Sequence, residues 1–129
     1  MPKFTRSERL RSQTLIQSLF TQGRSFYVSP FKVVWMATET VDSPPAQILI
    51  SIPKKTFKHA VTRNLLRRRI REIYRKNKSD FYQQLVQMNR NCLFALIYTG
   101  REVMASSVLE PKIIITLQRL IQENVKTVG

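Results

Sequence analysis

Apolar residues recur along this chain with two different periods, and the alternation between them sets out the elements. Between residues 12 and 22, Leu15, Ile16, Leu19 and Phe20 fall on one side of a helix. Ser12 suits the N-cap and Gly23 the position after the last turn, so this segment is expected to be the first helix. Residues 29–38, SPFKVVWMAT, are rich in β-branched and aromatic side chains and predict a strand. Residues 41–47, VDSPPAQ, predict a turn, because Pro44 and Pro45 have no amide to continue a ladder. Residues 46–52, AQILISI, predict a second strand, expected to pair back antiparallel on the first as a hairpin with a longish loop. A helix follows over residues 59–78, with room for a short continuation through DFYQQLVQM. NCLFALIYT, residues 91–99, predicts a third strand. Ile113, Ile114, Leu117, Leu120, Ile121 and Val125 then recur at the spacing of an amphipathic helix. Its start has two competing signals: Ser107 with Glu110 as a capping box, or Pro111 as the first helical residue. The order is helix, strand, strand, helix, strand, helix, with room for a short final strand. It predicts an α+β class, a small sheet covered by helices in a compact single-domain sandwich over residues 1–129.

The helix over 59–78 changes the picture. Leu66, Ile70, Ile73 and Tyr74 form its apolar stripe. Asn64, Arg67, Arg68, Arg71, Arg75 and Lys78 form a neighbouring stripe without a carboxylate. Arg69 and Lys76 lie on the third side near Glu72, within pairing distance along the helix. From residue 54 to 78 eleven basic residues face one acid, which places +10 of the chain's +14 in this one segment. A merely solvated face mixes signs, whereas here the signs are sorted. Arginine outnumbers lysine in the helix, which suits phosphate recognition by a planar fork of donors. Lys54, Lys55 and Lys58 lie where the strand leads into the helix N-terminus, a favourable place for anions. His59 reads either as a polar helix-start residue or as a phosphate donor.

Composition narrows the function classes. A chain of 129 residues with 43% hydrophobic content can bury one core. Net charge +14 and a pI near 10.8 favour a polyanionic partner, most simply nucleic acid. An anionic membrane would want basic residues around an exposed apolar face, but the apolar stripe here is needed for the core. The opening MPKFTRSERLRSQ has no apolar signal region and the longest apolar run, residues 92–98, is too short to span a bilayer, so a cytoplasmic protein is expected. Cys92 lies inside that run and reads as a buried thiol; a single cysteine excludes a multi-cysteine zinc site. Three glycines exclude a glycine-rich phosphate loop. Glu8, Glu39, Asp42, Glu72, Asp80, Glu102, Glu110 and Glu123 are dispersed and His59 is the only histidine, so no autonomous nuclease site is expected.

IPKKTFKHAVTRNLLRRRIRE, residues 52–72, resembles the signature of the bacterial ribonuclease P protein subunit, with Lys54, Lys55, Ala60, Arg63, Asn64, Arg67, Arg68 and Arg71 at the matching positions. Leu65 departs from it, standing where the family usually has the second arginine of Arg-Asn-Arg, away from the cationic row. SERLRSQTLIQSLFTQGRSF, residues 7–26, is similar to the family's opening helix, with Phe20 and Gly23 in the expected places. The resemblance implies a mixed sheet in a ribosomal-protein-like fold with a left-handed βαβ crossover. It implies the protein subunit of an endoribonuclease that removes the 5′ leader of precursor tRNA, with catalysis and Mg2+ assigned mainly to a catalytic RNA partner. It implies no membrane partner and no small-molecule cofactor. RNA binding would fall to Lys54, Lys55, Lys58, His59, Arg63, Asn64, Arg67, Arg68, Arg71 and Arg75. A cleft between the first helix and the sheet, lined by Ile16, Phe20, Phe31, Val34 and Trp35, would hold the single-stranded leader by stacking. Each of these apolar residues also reads as ordinary core. The rival is a structural RNA-binding protein, such as a ribosomal one; the basic helix fits both, and the Lys-Lys to Arg-Asn spacing favours the first.

Overall fold

The computed structural model describes residues 3–38 and 44–128. A 3-10 turn (Arg6–Glu8) precedes α1 (Gln13–Gln22), β1 (Arg24–Val28), β2 (Phe31–Thr38), β3 (Ala46–Ser51), α2 (Ala60–Gln87), β4 (Asn91–Tyr98) and α3 (Ser106–Val128). The strands form one sheet in the order β1-β2-β4-β3. β4 is interior, antiparallel to β2 and parallel to β3, with both faces covered. That is why its sequence is an unbroken apolar run and not an alternating one.

The expected hairpin between the second and third strands does not form. β3 pairs parallel with β4, from Ala46 opposite Cys92 to Ser51 opposite Ile97. A parallel pair needs a crossover, and α2 supplies it. The hairpin lies earlier, between β1 and β2, where Val28 stands opposite Phe31 across a cis Ser29–Pro30 turn. β1 was hidden in the sequence because only Phe26 and Val28 of RSFYV are buried. The additional strand therefore follows the first helix and does not close the chain. Of the expected turn at 41–47, residues 41–43 lie outside the described residues; the Pro45 carbonyl accepts from the Cys92 amide at 2.9 Å.

The pleat divides the core. Phe31, Val33 and Trp35 of β2 join Phe26, Ile48, Phe94 and Leu96 under α2 and α3. Val34, Leu93 and Ala95 face the other way, onto Leu10 and Leu19, with half-buried Ile16, Met36, Leu49 and Ile97 around them. α1 begins as expected, Ser12 Oγ accepting from the Leu15 amide at 3.3 Å. Gly23 has a φ of −70°, so the left-handed conformation does not explain it. Close approach does: a Cβ there would stand 2.3 Å from the Leu19 carbonyl oxygen.

α2 is one uninterrupted helix of 28 residues, running past residue 78 through the continuation that the sequence allowed. Phe81 and Leu85 prolong the buried stripe of Leu66, Ile70, Ile73 and Tyr74, so packing continues where the charge pattern stops. α3 starts at Ser106, with the Ala105 carbonyl accepting from Val108 and Leu109. Neither expected start holds. Pro111 lies inside the helix and gives up the bond an amide there would make to Ser107. At the other end of the chain the Leu10 amide donates to the Ile48 carbonyl at 2.9 Å, and Arg9 bridges in parallel to Ile48. The N-terminal segment thereby covers part of the outer edge of β3.

Candidate nucleic-acid interface

The apolar stripe of α2 packs on the sheet, which turns its basic row outward beside the N-terminal segment. Arg68 and Asn64 are exposed, while Arg67, Arg71 and Arg75 are half-buried. Arg67 donates to Asn64 Oδ1 at 3.3 Å. Burial and the charges of Arg9 and Arg67 push the Arg71 pKa below the usual arginine value, a sign of crowded cations. Lys3, Arg9, Arg68, Arg71 and Arg75, with Phe4 and the Glu72 carboxylate among them, line an open groove of about 630 Å3.

Three expected members of this face have other engagements. Arg75, not Arg69 or Lys76, takes Glu72, donating through Nε at 3.0 Å and Nη2 at 2.6 Å. That pair pulls the Glu72 pKa down and pushes the Arg75 pKa up. The row is therefore not free of carboxylate, since the Glu72 side chain reaches one turn along the helix to Arg75. Arg69 donates instead to the Met104 carbonyl at 2.8 Å and pins the loop before α3. Arg63 donates to the carbonyls of Phe57 at 2.8 Å and Lys58 at 3.0 Å, so it also braces the entry to α2. Lys78 leaves the row altogether. It is buried and paired with Glu8, because its turn of α2 lies under the N-terminal segment. Nothing local in the sequence announces this partnership. Lys54, Lys55, Lys58 and His59 are exposed just before α2, His59 as its N-cap without a side-chain cap bond.

The expected cleft residues divide between the two faces of the sheet. Ile16, Phe20 and Val34 belong to the α1 side, Phe20 keeping 49% of its surface exposed. Phe31 and Trp35 do not join them: they are 0% and 2% exposed in the core under α2 and α3. The period-2 alternation of β2 forces the separation, since residues 31, 33 and 35 point away from 34. The same alternation could have identified the residues that do share the α1 face. Tyr27, Lys32, Ile97 and Ser51 stand in register as one row across it, and Val34, Ala95 and Leu49 as the next. Tyr27 is 61% exposed, and Lys54 and Lys55 follow shortly after Ser51.

Glu8 is tied to Lys78, Glu72 to Arg75 and Glu123 to Arg119, while Glu110 accepts from Asn77. Among the described residues no group of three or more His, Cys, Asp or Glu is placed to hold an ion. Glu39 and Asp42 lie outside the described residues. Cys92 is buried, and burial pushes its thiol pKa up to about 12. Among the described residues no helix is long and apolar enough to cross a membrane.

Residues 4–106 match the model of the family described as Ribonuclease P. A ribonuclease P protein component from Porphyromonas gingivalis is 38% identical over 74 residues, covering 57% of this chain and 54% of the relative. One from Chlorobium phaeobacteroides is 37% identical over 78 residues, 58% of this chain and 53% of the relative. The chain thus spans about half the length of the curated relatives it matches. Among solved structures, the ribonuclease P protein from Thermotoga maritima superposes with a TM-score of 0.69 at 23% identity, covering 87% of this chain and 96% of the other. The Staphylococcus aureus protein gives 0.67 at 20% identity, covering 88% and 94%. At those identities the structures show likeness of fold.

Proposed function

Since the chain belongs to the ribonuclease P protein family, we propose that it is the protein subunit of an endoribonuclease that removes the 5′ leader from precursor tRNA. In this reading a catalytic RNA performs the hydrolysis and holds Mg2+, and the chain supplies affinity and position. The observation that carries it is the sorted charge of α2: Arg67, Arg68 and Arg71 share one face with the groove cations, and the nearby Glu72 is taken up by Arg75. Such a face neutralises phosphates that a bare RNA would need metal ions to screen. The α1 side of the sheet offers a second surface, where exposed Phe20 and Tyr27 can stack on unpaired bases of the leader.

The test is cleavage of labelled precursor tRNA at low millimolar Mg2+, with protein alone, a bacterial catalytic RNA alone, and both. Activity at low Mg2+ only with both is expected. Cutting by the protein alone would refute the division of labour. Failure to stimulate a demonstrably competent RNA would favour a structural RNA-binding protein.

A further inference from the structure

β2 runs past the start of its neighbour. β1 pairs with it only from Arg24 opposite Trp35 to Val28 opposite Phe31, so residues 36–38 of β2 have no strand on that side. In the vacant lane lies a pocket of about 290 Å3, lined by Gln22, Arg24, Trp35, Met36, Ala37 and Arg90. It wraps the edge of the sheet, because Met36 belongs to the α1 face whereas Trp35 and Ala37 belong to the face under α2 and α3.

Each of its two arginines is set in place by the end of a helix. α1 ends at Gln22, and the Gly23 amide donates to the Leu19 carbonyl at 2.8 Å. A Cβ on Gly23 would also stand 3.0 Å from the Trp35 carbonyl oxygen, so only glycine lets the chain press this closely on β2. That approach delivers Gln22 and Arg24 to the pocket. α2 ends in a Schellman motif: Asn89 has a φ of 55°, its amide donates to the Val86 carbonyl at 3.0 Å, and the Arg90 amide donates to the Leu85 carbonyl at 3.0 Å. Arg90 is half-buried and reaches Asn124 Oδ1 of α3 at 3.5 Å, which makes it a fixed wall. Arg24 is exposed.

The pocket therefore combines cations that suit a phosphate with groups that suit a base edge. Gln22 offers an amide that both donates and accepts, and the last carbonyls of α1 have no partner within the helix. Phosphate contacts hold a nucleic acid in place and base contacts read it, and both kinds of group are present here. The pocket lies at the opposite end of the sheet from Lys54 and Lys55. Exposed Tyr27 stands three residues along β1 from Arg24, about 10 Å at the rise of a strand.

We propose that this pocket binds one nucleotide of single-stranded RNA, its phosphate on Arg24 and its base against Gln22 and the open edge of β2, and that the nucleotide belongs to the precursor leader, beyond the stretch that stacks on Phe20 and Tyr27. This rests on the α1 side being the leader surface and adds a subsite that only longer leaders reach.

The test is cleavage by the holoenzyme, assembled from the full chain and a bacterial catalytic RNA, of precursor tRNAs whose leaders are shortened one nucleotide at a time. With the wild type, KM is expected to fall in two steps as the leader lengthens. Arg24→Gln should remove the second step, raising KM about fivefold for long leaders while leaving kcat and the short-leader KM unchanged, as loss of a contact made equally in ground and transition states requires. An unchanged KM at every length overturns the pocket. An equal rise at every length, or weaker binding of the catalytic RNA by Arg24→Gln without precursor, assigns Arg24 to the catalytic RNA and overturns the leader subsite. A wild-type KM indifferent to leader length overturns the leader surface itself, a different failure from a second step that survives Arg24→Gln. An abasic nucleotide at the position of the second step should raise KM for the wild type and not for Gln22→Ala, a change at an exposed position that decides the matter should Arg24→Gln not fold. No effect of the missing base on the wild type overturns the nucleotide assignment.

Discussion

Phe20 and Trp35 show how burial assigns a role to an aromatic residue. Phe20 leaves about half its surface to solvent on the α1 side, while Trp35 is sealed into the core on the other. Phe20→Ala should leave unfolding stability within ~0.5 kcal/mol, as for other surface changes, yet weaken binding of a single-stranded leader by ~1–3 kcal/mol. Trp35→Ala should cost ~3–5 kcal/mol of stability. Urea unfolding and oligonucleotide anisotropy separate the two; equal destabilisation would erase the distinction. Glu8 carries a different prediction. Burial alone would raise its pKa, but the bonds from Lys78, Thr5 and Tyr82 outweigh burial and hold it below the ordinary 4.5. A carboxylate depressed in the fold adds stability above pH 4.5 that is lost as pH falls through the folded value. The stability gap between the wild type and Glu8→Gln should therefore be widest near neutrality and shrink in acid. A gap unchanged down to about pH 3 in denaturant titrations would count against the ionised pair.

At the scale of the element, α2 works through the sorting of its faces. Its apolar stripe, spaced at three and four residues, was legible because local geometry alone decides which side chains share a face. The engagements of Arg63, Arg69 and Lys78 were not legible, because their partners lie on the loop before α2, the loop before α3 and the N-terminal turn. If ~5 phosphates are engaged, log affinity for RNA should fall with log salt at a slope of about −3.5 to −4.5. Arg68→Ala or Arg71→Ala should each make the slope shallower by about 1, whereas Lys76→Ala, exposed on the other side of α2, should leave it alone. Equal effects of all three would show that the charge of the helix, and not its groove-side row, drives binding.

The whole molecule carries +14, so its folded state works against self-repulsion that an anion can relieve. Sulfate should raise the melting temperature above that in chloride at matched ionic strength; coincident melts would mean the folded cations form no organised site. The amino-acid sequence alone determined what depends on near neighbours: the Ser12 cap, the stripe and basic row of α2, the apolar run of β4 and the amphipathic face of α3. Each follows from the period of a helix or from residues that sit beside one another in the chain. Only the tertiary structure decided that β3 pairs parallel with β4, that Phe31 and Trp35 face away from α1, and that Lys78 leaves the row for Glu8, 70 residues distant. Strand partners and buried ion pairs are chosen by packing between segments far apart in the chain, and local periodicity carries no record of that choice.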